Sequence, residues 1–266
     1  MTHLQIGFIG TGRIARALAG GLCRRENTII SGFDKEPAAL AAIAADYPVQ
    51  PCLSMEELAG KTRVIILAVK PYQIKEVLED LKPSLSSHHL LISVAAGISS
   101  EFISSCTMEE MRIIRVMPNT PVFVGEGMTA LSPGSAASND DLALAVELFS
   151  SVGRTLVLDE SLMDAATALS GSGPAYMFYM LDALAAGGAA CGLSYNDALL
   201  LATQTMAGAA KMLLAGTKHP DELTHEVTTP GGTTEAGLKI LEKNNIRQIL
   251  GDTIAAAAAR SRELMK

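Results

Sequence analysis

A series of short, near-continuous apolar runs limits this chain more than any other feature: residues 4–9, 28–33, 64–69, 90–94 and 113–116. Each is rich in Ile, Val and Leu, and none alternates polar with apolar as a strand with one wet face does. Strands of this kind are covered on both faces, and longer helical stretches lie between them to supply the cover. A βαβ series of this sort folds as a mainly parallel sheet flanked by helices. A helix-like segment opened by Ser138-x-x-Asp141 and a strand-like stretch at 155–158 follow, after which strand signals stop.

From about Leu162 the chain reads as helices alone. Residues 174–190 and 196–214 are long Ala/Leu/Met-rich stretches, the second announced by Ser194-x-x-Asp197, and Pro220 followed by Asp221 and Glu222 starts another helix. The last helices are expected at 233–242 and 246–264. Small residues leave little polar face at 183–190 and 254–259, and a helix apolar nearly all round is buried. A helical tail of roughly 100 residues is thin for burying several such helices alone, so a helical dimer interface is predicted. Composition points the same way. Of 266 residues 48% are hydrophobic and 18% charged, against roughly 25% charged in an average soluble domain.

The formal net charge of −7 gives no footprint for nucleic acid or an anionic membrane. Cys23, Cys52, Cys106 and Cys191 are far apart, so neither a disulfide framework nor a metal site is indicated. The first ten residues lack the pattern of a secretory leader, and nowhere do 18 apolar residues run uninterrupted, so no spanning helix is expected. A cytoplasmic protein is the expectation.

Gly10-Thr11-Gly12-Arg13-Ile14-Ala15 follows a buried strand and opens a helix, the context in which a Gly-x-Gly-x-x-Gly/Ala pattern signifies dinucleotide binding. The first glycine permits the turn, the second lets a pyrophosphate approach the backbone, and the small third residue packs helix on strand. Asp34 lies 24 residues after Gly10, at the end of the second strand. A carboxylate there can bond the adenosine ribose hydroxyls and repel a 2′-phosphate, whereas Arg13 and Lys35 can attract one, so NADH and NADPH both remain open. At the carboxyl ends of later strands stand Ala68-Val69-Lys70-Pro71, Ser93-Val94-Ala95-Ala96-Gly97 and Met117-Pro118-Asn119-Thr120-Pro121, at the edge where such sheets bind ligands. The Asn119 amide is suited to a carboxamide.

Two segments in the helical part are too unusual to be generic connectors. Ser170-Gly171-Ser172-Gly173-Pro174-Ala175 and Thr228-Thr229-Pro230-Gly231-Gly232-Thr233-Thr234-Glu235 each bring backbone and hydroxyls to a helix start. The second offers free N–H groups to a substrate carboxylate, with threonine capping as the simpler alternative.

These segments together make the chain resemble the pyrroline-5-carboxylate reductases. The likeness runs from the Gly10 loop to about Arg262 and includes Ala-Val-Lys-Pro (68–71), Met-Pro-Asn-Thr-Pro (117–121), Gly-Ser-Gly-Pro-Ala (171–175) and Thr-Thr-Pro-Gly-Gly-Thr-Thr (228–234). It implies a Rossmann-like NAD(P)-binding domain over 1–160, an all-α dimerisation and substrate domain over 161–266, and reduction of L-1-pyrroline-5-carboxylate to L-proline with NADH or NADPH. It also implies a homodimer and higher assemblies such as a decamer of five dimers. By the same resemblance Val69, Lys70, Pro71, Ala95, Ala96 and Asn119 line the cofactor beside Gly10, Thr11, Gly12, Arg13, Ile14, Asp34 and Ala68. The substrate falls to Ser172, Gly173, Gly231, Gly232, Thr233 and Thr234, with Thr234 bonding the ring nitrogen as the catalytic contact. Arg13-Ile14 stands where relatives usually have Asn-Met, and Asp34 where members using NADPH carry polar or basic residues.

A cyclic imine can be protonated in neutral water before binding, so no strong general acid is required. His219 and His225 flank a helix near the substrate loop and compete for an acid role, although His219 before Pro220 also reads as a cap. His88 and His89 read as solvated turn residues. A β-hydroxyacid dehydrogenase would share the layout, but such enzymes resemble one another in a lysine on the first interdomain helix, and no lysine lies between Lys82 and Lys211. A reductase of a related cyclic imine and a non-catalytic NAD(P)-sensing protein are the other readings.

Overall fold

The apolar runs become strands because each has two cores to fill. In the computed structural model, which describes residues 3–216 and 218–263, the chain forms β1 (Leu4–Ile9), α1 (Arg13–Leu22), β2 (Thr28–Phe33), α2 (Pro37–Asp46), β3 (Val49–Pro51), α3 (Met55–Lys61), β4 (Val64–Leu67), α4 (Ile74–Leu81), β5 (Leu90–Ser93), α5 (Ser100–Cys106) and β6 (Arg112–Met117). It continues with β7 (Gly127–Pro133), α6 (Asn139–Ser150), β8 (Gly153–Val157) and α7 (Met163–Ala166), the last followed by a π-helical turn over Thr167–Gly171. Along β1, Ile6 and Phe8 enter one core and Ile9 the other; along β4, Val64 and Ile66 separate from Ile65 and Leu67 in the same way. Leu18, Leu22, Leu148 and Phe149 of α1 and α6 close the first core, and Leu58, Ile74, Leu78 and Ile103 of α3, α4 and α5 close the second. Each fully buried Ile or Leu contributes about 1.5–3 kcal/mol, so a polar residue at any of these positions forfeits a share of stability.

The sheet order is β3-β2-β1-β4-β5-β6-β7-β8. Strands β1 to β6 are parallel; β7 runs antiparallel to β6, and β8 is parallel to β7. The short β3 and the Gly-, Thr- and Ser-bearing β7 were not expected from the apolar runs, and β8 begins at Gly153 rather than at 155.

The chain divides into two compact units, one running through Ser172 and resuming at Ala256, the other Gly173–Ala255. The first unit reaches past residue 160 because the segment through the π turn packs on the sheet. A Cβ on Gly171 would stand 2.5 Å from Met117 Cε. Within the same unit the buried hydroxyl of Ser261 donates to Asp164 at 2.6 Å.

The second unit holds α8 (Gly173–Ala190), α9 (Tyr195–Ala215), α10 (Pro220–Glu226), α11 (Thr233–Lys243) and the first part of α12 (Ile246–Glu263). The expected helix end at Leu264 lies outside the described residues. Gly188 lets α8 and α9 approach closely, since a Cβ there would meet Ala198 Cβ at 2.8 Å. Tyr195 also donates from its hydroxyl to Asp182 at 2.6 Å. Little else is covered. In α9 Ala198 is the one buried residue, while Leu200 and Leu201 stand exposed, and α9 reaches the length and mean hydropathy (1.4) of a spanning segment although it carries Asp197 and Lys211.

One expectation fails on burial. His89 is not a solvated turn residue: its Nδ1 accepts the Ser86 N–H at 3.0 Å, and its Nε2 lies 3.1 Å from the Ala59 carbonyl, which closes the join between α3 and β5. His89→Ala removes the buried partner of the Ala59 carbonyl and the acceptor of the half-buried Ser86 N–H, so equilibrium urea unfolding is expected to show a loss of about 2 kcal/mol, with a lower midpoint at unchanged slope.

Candidate functional site

The strand order places a crevice beyond the carboxyl ends of β1 and β4, where successive connections leave in opposite directions. Gly10 sits there with φ +88°, and a Cβ on it would stand 2.7 Å from the Ala68 carbonyl oxygen. Its N–H donates to Phe33 O at 2.9 Å, and the Ala68 N–H donates to Ile9 O at 2.8 Å, so the loop is pinned between β2 and β4. Gly12 is the N-cap of α1 without a side-chain cap, and the first bond down the helix runs from Arg16 N–H to Gly12 O at 3.0 Å. No side chain caps the N–H groups of that first turn, and nothing lies within 4 Å of a Cβ on Gly12. Free donors, a positive helix end and room at the backbone fit the pyrophosphate of a dinucleotide.

Gly10, Gly12, Asp34, Ala68, Val69 and Lys70 line one cavity of about 270 Å³ at this crevice. Met55, Gln73 and Val77 line it as well. Sequence reading missed these three, because they belong to helices that it treated only as cover for the sheet. Gln73 accepts the Lys70 N–H at 3.0 Å and so fixes the turn after β4, where Pro71 begins a single 3₁₀ turn. Ala95 and Ala96 form the turn after β5, outside the residues lining that cavity. Ile14 packs against the core.

Thr11 is buried and joins the loop to Asp34: its N–H donates to Asp34 Oδ2 at 2.6 Å and its hydroxyl to the same oxygen at 2.9 Å. Asp34 Oδ1 accepts the Glu36 N–H at 2.9 Å. Lys35 pairs with Glu76 at 2.6 Å, a hydrogen bond that raises the pKa of the ammonium above its ordinary value. The Arg13 guanidinium lies over the Phe123 ring, 5.4 Å from its centroid. Asn119 holds backbone on both sides, donating to Ser170 O at 3.1 Å and accepting the Met128 N–H at 2.9 Å. Its carbonyl and one N–H are therefore committed within the protein, and less of the amide is left for a carboxamide than the sequence suggested.

In the second unit the loop before α11 has a comparable construction. Gly231 has φ +70°, its N–H donates to Glu235 Oε2 at 2.9 Å, and Gly232 serves as N-cap of α11 with no side-chain cap. The alternative of threonine capping is therefore not what the loop does. Thr228 donates its hydroxyl back to Thr224 O, Thr229 O accepts the Gly232 N–H, and Thr233 and Thr234 stand in the first turn of the helix. Ser172 ends the π turn, its N–H on Thr167 O at 2.9 Å, and Gly173 opens α8. His219 caps α10 by accepting the Asp221 N–H at 3.5 Å, in line with the cap reading.

Residues 160–264 match a family model described as pyrroline-5-carboxylate reductase dimerisation, and residues 5–97 one described as NADP oxidoreductase, coenzyme F420-dependent. The pyrroline-5-carboxylate reductase of Arabidopsis thaliana is 41% identical, with 98% of this chain and 95% of that protein covered. A solved structure of a pyrroline-5-carboxylate reductase from Coxiella burnetii superposes with a TM-score of 0.91 at 35% identity, covering 98% of each chain. That of Plasmodium falciparum pyrroline carboxylate reductase with NADP bound gives 0.86 at 31%, covering 100% of each.

Gly10→Ala sets a Cβ against the Ala68 carbonyl in a backbone conformation that L side chains avoid. Calorimetric titration of the variant with NADH and with NADPH is expected to show both weakened by about tenfold or more, the scale of a misplaced anion cradle.

Proposed function

The chain belongs to the pyrroline-5-carboxylate reductase family, and from that premise we propose that it reduces L-1-pyrroline-5-carboxylate to L-proline with NAD(P)H, the last step of proline biosynthesis. Near-full-length identity of 41% to a reductase of that name carries the reading, and the glycine-led helix starts of α1 and α11 are the physical means. Bound NAD(P)H supplies a hydride to the C=N carbon of the imine. The open N–H groups at α1 hold the pyrophosphate, and Ala68, Val69, Lys70 and Pro71 shape the cofactor side of the crevice.

For the substrate, backbone N–H groups of Gly232 and Thr233 are assigned the carboxylate, and the Thr234 hydroxyl the ring nitrogen. Gly231, Ser172 and Gly173 complete the substrate set. Supporting this is the way the helix begins: Glu235, its third residue, accepts the N–H of Gly231, one residue ahead of the cap, and the cap position holds glycine and brings no hydroxyl. The helix start is thus rigid and still has donors to give. No strong acid needs to stand there if the imine arrives protonated, and the rate then comes chiefly from orientation.

Residues 161–266 are read as the dimerisation and substrate domain, beside a cofactor domain over 1–160. The family's dimerisation model covers 160–264, which supports a homo-oligomer, and the apolar exposed face of α9 is the surface that a second copy would cover. A dimer, its assembly into a decamer and a cytoplasmic location are the finer readings; four free cysteines accord with a reducing compartment.

Purified protein given pyrroline-5-carboxylate with NADH or NADPH is expected to form proline with saturable kinetics; cofactor oxidation without proline would move the assignment to a related imine. Thr234→Ala is expected to lower kcat/KM by about tenfold to a hundredfold, the worth of one hydrogen bond to a charged group, with cofactor affinity unchanged. Leu201→Glu, on a residue 57% exposed in the single chain, would be nearly neutral for a monomer. Sedimentation is instead expected to show smaller species, and calorimetry a lower Tm.

A further inference from the structure

The inference deepens the dinucleotide half of the reading above and rests on it: the residues around Asp34 bear on which nicotinamide dinucleotide the chain selects. NADPH differs from NADH by a phosphate on the adenosine ribose 2′-oxygen. In a sheet of this order that ribose lies at the carboxyl end of β2. The charged side chains lining the cavity are Asp34, Lys35 and Glu36 on the turn after β2 and Lys70 after β4, and Glu76 faces Lys35 from α4.

Asp34 is fixed in place rather than free to turn away. Three donors hold it, two on Oδ2 and one on Oδ1. A carboxylate has about four lone-pair sites, so Oδ1 keeps one for a ribose hydroxyl, whereas a phosphate would meet the same oxygen as a like charge. Of the cations that could offset this repulsion, Lys35 and Arg13 have partners of their own. Lys35 is bound to Glu76 at 2.6 Å. The Arg13 guanidinium lies over the Phe123 ring, 5.4 Å from its centroid. Lys70 follows β4, with β1 between it and β2.

We propose that Asp34 makes this chain select NADH over NADPH, by accepting a ribose hydroxyl and repelling the 2′-phosphate while Glu76 withholds Lys35. Isothermal titration calorimetry of the full chain with NADH and with NADPH, without imine, reads this choice independently of turnover. NADH is expected to bind about tenfold or more tightly, the order of one like-charge contact near a protein surface. Asp34→Ser is expected to shift the ratio of the two affinities toward NADPH by a similar factor. The serine variant also loses the bonds to Thr11 and so weakens both ligands, which is why the ratio carries the result. Glu76→Gln leaves Asp34 and the glycine loop intact and frees Lys35; it is expected to shift the ratio in the same direction by a smaller factor, and it serves where the serine variant does not fold. Equal or tighter binding of NADPH by the unaltered chain overturns the proposal, as does a ratio that the variants leave unmoved. Proline formation would keep the reductase reading whatever the ratio. NADH-selective binding without proline would overturn that reading and leave this one standing, and absence of binding would overturn both.

Discussion

Apolar layers on both faces of one sheet hold the ligand-binding edge in place. Strands β1, β4 and β5 contribute to both cores at alternate positions, so none of them can slip by one residue without sending its neighbours into the wrong layer. Register fixed in this way sets where each strand stops. Gly10 and Ala68 stand together at the edge because β1 and β4 are paired from Ile6 and Val64 to Ile9 and Leu67. The loop's close approach to the Ala68 carbonyl is thus inherited from side chains buried well away from any ligand.

The helix starts differ in what meets their first N–H groups. Those of α3, α5, α6 and α9 are capped by Ser54, Ser99, Ser138 and Ser194, and that of α10 by His219. Those of α1 and α11 begin after Gly12 and Gly232 with no side chain on the first N–H groups. A serine cap is worth about 1 kcal/mol to a helix, so starting α1 and α11 after glycine relinquishes a stabilisation that the serine-capped helices take. Bound anions restore it, and ligand binding and helix stability therefore draw on the same donors.

Much of this was legible in the sequence, and what was not has physical causes. Strands covered on both faces write themselves as unbroken apolar runs, so β1, β2, β4, β5 and β6 stood out. By contrast β3 is three residues ending in Pro51, and β7 mixes Gly127, Thr129 and Ser132 with its apolar residues, so neither makes a run. The glycine loop was readable because its requirement is conformational and local. The bonds from Thr11 to Asp34, from Asn119 to Ser170 and from His89 to Ala59 were not, since each joins residues 23 to 51 positions apart whose meeting depends on strand order and helix placement rather than on neighbouring residues.

Asp34 belongs to two structures at once, the staple that holds Thr11 and the wall of the cavity at the carboxyl ends of β1 and β4. Such a residue cannot drift alone. A substitution that suits a different cofactor also loosens the loop binding the pyrophosphate that both cofactors share, so its effects and those of changes at Thr11 are expected to be non-additive. An evolutionary or engineered change of cofactor in this scaffold would have to cross that coupling, with Thr11 and Asp34 exchanged as a pair, and the preference would then be conserved by the loop's geometry as much as by any demand of the reaction.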